Sequence, residues 1–218
     1  PGKPEVLVAR QAAKRRPLYS VHPSVAMVQA WAVGLPNKTG KSLDEWIALV
    51  REEGPSAEKE RRAWLKEEQG LGINAAWWIA ERASKEGDVD DSPEAYLKSA
   101  EGYVDTMFAR GKAGLRPIFD ELIRLGADLG PDVKICPCQT MVPLYRQHVF
   151  AQIRPASTSR IDLGLALKDA PQPLATKLID TGGLSKKDRI THRFEITKLA
   201  DLDAEVRRWI KIAYDLDA

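Results

Sequence analysis

The chain has little of what most catalytic and membrane proteins display. It holds two cysteines and three histidines in 218 residues, too few for a disulfide framework and a sparse supply of metal ligands. No apolar run approaches the roughly 20 residues that a membrane-spanning helix needs, so no membrane association is expected. The opening "PGKPEVLVARQAAKRRPLY" lacks the long apolar core of a signal peptide. Charge of one sign is not in excess either: 33 basic against 31 acidic side chains leave +2. No global field therefore draws the protein toward nucleic acid or lipid. The P-loop order is missing, and no cofactor-binding signature is present. The expectation is a cofactor-free protein of a reducing, cytoplasmic compartment.

The two cysteines sit together in "KICPCQT", as Cys136 and Cys138 around Pro137. If this stretch is a strand, residues two apart share a face. Their α-carbons would then lie near the limit for a disulfide, and the proline stiffens the link. The spacing is not that of a CxxC redox pair. His148 and His192 are the only nearby partners for a metal, and no second ligand cluster supports them. Both thiols are expected to be reduced and unliganded, as small strand residues.

What the chain does have is tryptophan, six in all, five of them before residue 80 (Trp31, Trp46, Trp64, Trp77 and Trp78). That part reads as short helices. In "KSLDEWIALVREEG", Leu43, Trp46, Ile47 and Val50 form one apolar stripe. Ser42 with Glu45 makes a capping box, and Gly54-Pro55 stops the helix. Further helices are expected from Pro23 to about Gly34, across "SAEKERRAWLKEEQG", and across "INAAWWIAERASKEG". After the acidic stretch "KEGDVDDSPEAY", Ser92 can cap a new helix with Pro93 in its first position. Pro117 suggests another helix start near Leu115.

Beyond Gly130-Pro131 the period becomes strand-like: "VKICPCQT", "MVPLYRQ", "HVFAQIRP", "RIDLGLAL" and "RITHRFEITK". Ile161, Leu163, Leu165 and Leu167 alternate onto one face; so, by the same rule, do Ile190, His192, Phe194 and Ile196. "DLDAEVRRWIKIAYDL" closes the chain as an amphipathic helix through Leu202, Val206, Trp209, Ile210 and Ala213. The predicted fold class is α+β, a small helical bundle followed by an antiparallel sheet packed with helices. Expected boundaries are an N-terminal arm at 1–22, a helical domain at 23–90 and an α+β domain at 93–218. Val6, Leu7 and Val8 of the arm are expected to pack on the protein or on a second copy, which would make a homodimer by arm exchange.

Two resemblances attach to these motifs. "KTGKSLDEWIALV" with "WLKEEQGLGINAAWWIA" resembles a bacterial helical family, the domain of unknown function four-two-eight-seven. "LRPIFDELIRLGADLGPDVK", "FAQIRPASTSRIDLGLAL", "RITHRFEI" and "DLDAEVRRWIKIAYD" resemble a second uncharacterised domain that often follows it. That domain is in turn distantly similar to the iron-chaperone-like, frataxin-like family. The resemblance implies a bacterial cytoplasmic protein of two compact units and supplies no catalytic residues. Where the first family's motif is expected to carry histidine, this chain has Gln69 and Ile73, which argues against histidine chemistry there.

Two constellations remain as candidate sites. Trp77 and Trp78 are about 100° apart on a helix, so both cannot face one core; one can wall a groove. With Tyr145, Arg146, His148 and His192 as polar anchors, they form a candidate ligand site at the domain junction. In "TGGLSKKDRITHR", a glycine turn is flanked by Lys186, Lys187, Arg189 and Arg193, which suits an anion or nucleic acid. The favoured expectation is a non-catalytic module binding a small apolar or anionic molecule. Nucleic-acid association through the 186–193 loop and "AAKRR" is an alternative, disfavoured by the neutral charge; an enzyme of unrecognised type is another.

Overall fold

A computed structural model of the chain describes residues 17–84 and 90–218. It divides into two compact units, Val21–Tyr103 and, with the described residues up to Ser20, Val104–Ala218. Val6, Leu7 and Val8 lie outside the described residues, as do residues 85–89 at the start of the acidic stretch.

The first unit contains helices α1 (Pro23–Thr39), α2 (Leu43–Glu53), α3 (Glu58–Glu67), α4 (Ile73–Ala83) and most of α5 (Pro93–Met107). The α2 capping box forms as the sequence dictates: Ser42 Oγ accepts from the Glu45 amide, and Glu45 returns a carboxylate oxygen to the Ser42 amide. Ser92 likewise accepts from the Ala95 amide at the start of α5. Helix α1 does not stop near Gly34 as expected. It runs on through Pro36 to a left-handed Gly40, because Leu35, one residue past the glycine, is buried in the core. Around Leu35 gather Trp46, Val50, Leu65, Ile79 and Ala80. Trp46 is the one fully buried indole here among the described residues, its Nε1–H donating to Thr39 Oγ1 at 2.8 Å. Trp31, Trp64 and Trp78 are half-buried and Trp77 is exposed.

The second unit is a six-stranded antiparallel sheet with helices α6 (Arg116–Ala127) and α7 (Ala204–Leu216) in its core. A short 3-10 turn, Arg110–Leu115, precedes α6 and leaves Pro117 in that helix's first turn, where its missing N–H costs nothing. The strands are β1 (Lys134–Ile135), β2 (Val142–Tyr145), β3 (Val149–Pro155), β4 (Ile161–Leu165), β5 (Ile179–Asp180) and β6 (His192–Ile196), ordered β1-β2-β3-β4-β6-β5. Ile153, Leu163, Leu165, Phe194 and Ile196 meet Ile118, Leu122, Val206, Trp209 and Ile210 of the two helices. At roughly 1.5–3 kcal/mol for each large apolar side chain removed from water, this layer dominates the unit's stability.

Two expectations are corrected here. The cysteines do not lie in a strand: β1 ends at Ile135, although Cys136 N–H still reaches Pro143 O and Cys138 N–H reaches Met141 O. Cys136 is fully buried and Cys138 half-buried, so the two thiols do not share one exposed face. Ile190 does not alternate onto the face of Phe194. The chain before β6 is irregular, Thr191 turns inward so that its Oγ1 accepts from the Leu167 amide, and Ile190 lies against Gly164 on the opposite face. The two-residue β5 has too little pattern to be read in advance.

Candidate anion site on the polar face of the sheet

The register of β3, β4 and β6 dictates what stands on the face away from the core. Arg154 pairs with Asp162, which pairs with Glu195; Gln152 pairs with Gly164, which pairs with Arg193. Asp162 is only 5% exposed, so its charge must be met locally. Three guanidinium groups meet it: Arg160 Nε at 3.0 Å, Arg154 Nη2 at 3.4 Å and Arg193 Nε at 3.7 Å. Arg160 and Arg193 also reach Glu195, at 3.0 and 3.1 Å. The alignment is incomplete. Asp162 Oδ1 and the Nε atoms of Arg160 and Arg193 are buried without a hydrogen bond of good geometry. Close approach supplies the ion pairing, while donor capacity on the arginines stays unused.

Gly164 forms the floor beside this cluster. A Cβ there would stand 2.6 Å from Ile190 Cγ2 and 2.9 Å from Gln152 Cγ, so no side chain fits without displacing those two. Above it lies a cavity of about 260 Å³, lined by Gln152, Arg154, Asp162, Lys186, Asp188 and Arg193 among others. Its outer wall is the glycine turn. Gly182 is left-handed, and a Cβ on Gly183 would stand 2.3 Å from Ile190 O, so both positions demand glycine. Four of the turn's amides are occupied: Gly182 N–H donates to Asp180, Gly183 N–H to Thr181 Oγ1, and the Lys186 and Asp188 amides to Gly183 O. Of the backbone N–H groups and side-chain charge expected from the sequence to hold an anion, these four N–H groups are committed within the turn, and Lys186 and Arg193 supply the charge. Asp188 is spent in part on the Ile190 amide.

The basic residues named from the sequence are split by the structure. Lys186 and Arg193 line the cavity. Lys187 adopts a left-handed φ of 56° and lines neither this cavity nor the larger one taken up below. Arg189 turns away, donating to Val149 O and to Asp217 Oδ1 at 2.8 Å. Asp217, itself buried, also accepts from the His148 amide at 2.7 Å, with His148 Nδ1 3.1 Å from its other oxygen. Arg146 bonds Asp132 and stacks over the Tyr214 ring. Tyr145 ends β2 half-buried, and burial raises the pKa of its hydroxyl. His192 Nδ1 lies 3.0 Å from Thr191 Oγ1. These four anchors are therefore sorted around separate partners and do not converge on the cavity above Gly164.

In the first unit, Trp78 packs edge-on against Trp31 at 4.7 Å between ring centroids, and Arg62 lies over Trp77 at 5.6 Å. A cavity of about 580 Å³ there is lined by Trp31, Leu71, Ile73 and Asn74 among others, and by neither Trp77 nor Trp78. Among the described residues, no group of three His, Cys, Asp or Glu side chains could hold a metal ion. Among the described residues, no helix is long and apolar enough to cross a membrane.

Sequence reasoning missed Arg154, Asp162, Gly164 and Gln152. A signal was present: an acid and a glycine inside "RIDLGLAL", an otherwise apolar strand, mark a polar face that something must approach closely.

Residues 104–217 match the family described as Domain of unknown function (DUF5655), and residues 29–84 match Domain of unknown function (DUF4287). No curated protein and no solved structure matches the chain.

Proposed function

The chain belongs to the DUF5655 family, and we propose that its α+β unit is a non-catalytic binding module for a small anion. The observation behind this reading is the cavity over Gly164, where Arg154, Arg193 and Lys186 surround a floor that a side chain at 164 would fill only by displacing Ile190 and Gln152. Its acids are already engaged, Asp162 by three arginines and Asp188 by the turn. The guanidinium of Arg193 faces this space with its Nε–H poorly aligned to Asp162, and a phosphate or carboxylate suits such a group. No nucleophile–base pair lines this pocket, and its polar groups are the kind that hold a ligand in place. The charge balance favours a small ligand over a polymer. The basic residues of the 186–193 loop diverge, with Arg189 committed to Asp217, so they do not form the continuous stripe that nucleic acid requires.

Isothermal titration with inorganic phosphate, sulfate, citrate and a short single-stranded oligonucleotide tests this. A small anion should bind at one site, and Arg193→Ala or Lys186→Ala should each weaken it about tenfold, the worth of one charged hydrogen bond. Binding of the oligonucleotide alone, with a steep salt dependence, would replace this reading with the nucleic-acid one.

A further inference from the structure

Arg154 serves two cavities. Besides the one over Gly164, it lines a second, of about 600 Å³, together with Thr106, Arg110, Lys112, Thr140 and Thr158. No carboxylate is among the side chains lining this second space, whereas the first contains two. Its cations are also placed with care. Lys112 Nζ donates to Pro155 O at 3.0 Å, which fixes the ammonium at the end of β3. Gly111 presses so close to Thr158 that a Cβ would stand 3.2 Å from its methyl group. Arg110 adopts a left-handed φ of 55°, a conformation unfavourable for a non-glycine residue that persists where the surroundings enforce it. Its side chain makes no ion pair among the described residues. An exposed guanidinium with no carboxylate partner, held beside Lys112 and Arg154 at a cavity free of acids, suits an anion.

Building on the reading of the first cavity as an anion site, we infer that the ligand is a linear small molecule with an anionic group, phosphate or carboxylate, at each end. One end sits between Arg193 and Lys186, the other beside Arg110 and Lys112, and Arg154 lies between them. Gln152 belongs to the first cavity and Pro155 to the second. The two positions are three steps apart along β3, about 10 Å of strand, which sets the scale of the ligand's span.

Titration calorimetry at fixed ionic strength, comparing methylphosphonate with hexane-1,6-bisphosphonate, tests the span. The bisphosphonate should bind once per chain and about tenfold or more tighter than methylphosphonate, because its second end binds intramolecularly. Arg110→Gly keeps the left-handed backbone and removes the charge; it should return the bisphosphonate to the affinity of methylphosphonate, and Arg193→Ala should do the same. Arg110→Lys should retain most of the gain. Thermal melting of each variant checks that the fold is intact. A bisphosphonate no tighter than methylphosphonate, or indifferent to Arg110→Gly, overturns the two-ended ligand and leaves the single anion site standing. If neither phosphonate binds, both readings fall.

Discussion

The two faces of one sheet obey different rules, although alternate residues of the same strands build them. Toward α6 and α7 stand Ile153, Leu163, Leu165, Phe194 and Ile196, apolar and almost wholly buried. On the other face stand Gln152, Arg154, Asp162, Gly164, Arg193 and Glu195. Burial of apolar surface is non-directional, so the first face needs only volume and alternation. The second needs each charge opposite its partner across three strands, and the ion pairs around Asp162 exist only in this register. One face stabilises the unit. The other is where we propose that a ligand binds, and it is expected to contribute less to holding the fold.

Breaking each face in turn should give effects of descending size. Trp209→Ala opens a cavity in the helix layer over the core face and should cost about 3–5 kcal/mol in chemical denaturation, with loss of anion binding only through unfolding. Asp162→Ala leaves three arginines facing one another. Those arginines reach solvent, so the cost should fall at the low end of that for a broken buried pair, about 3 kcal/mol or less. If Asp162→Ala proves as destabilising as Trp209→Ala, the polar face is structural and the contrast fails. If it is neutral, the ion pairs are not formed in solution.

A smaller effect concerns Cys136, on the core side of the same unit. Burial foremost, then the neighbouring Cys138, pushes its thiol up to about 12 from an ordinary 9.0. The folded pKa is thus raised above the unfolded one. The resulting stability is fully present below pH 9 and is lost as pH rises from there toward 12, because the unfolded thiol ionises first. Melting midpoints should fall more steeply across that window in the native protein than in Cys136→Ala. Equal slopes would mean that Cys136 is reached by water. The same burial predicts slow alkylation of Cys136 until the protein unfolds.

The legibility of the fold follows the same division. The capping box of Ser42 and Glu45, the Ser92 cap and the stripe through Trp209 are local patterns, and local physics decides them. Helix α1 overruns Gly34 because burial of Leu35 outweighs a local preference. The two-residue β5 and the inward turn at Thr191 come from tertiary pairing, which one-dimensional alternation does not contain. At the site, Lys186 and Arg193 could be named from charge beside a glycine turn. Asp162 is marked only as an acid inside an apolar strand, and Arg154 not at all, because nothing local says which strands become neighbours. Lys187 and Arg189 look equivalent to Lys186 in the sequence, yet a left-handed backbone and a buried Asp217 send them elsewhere.

The central claim is that the polar face of the sheet, and not the tryptophan-rich unit, takes the ligand. It is tested most directly by titrating isotopically labelled protein with phosphate while following backbone amide, arginine Nε–H and indole N–H resonances. The account predicts saturable shifts at Gly164, Gly183 and the Nε–H groups of Arg154 and Arg193, with the indoles of Trp77 and Trp78 unmoved. Shifts confined to those indoles, or none at any concentration that leaves the protein folded, would contradict it.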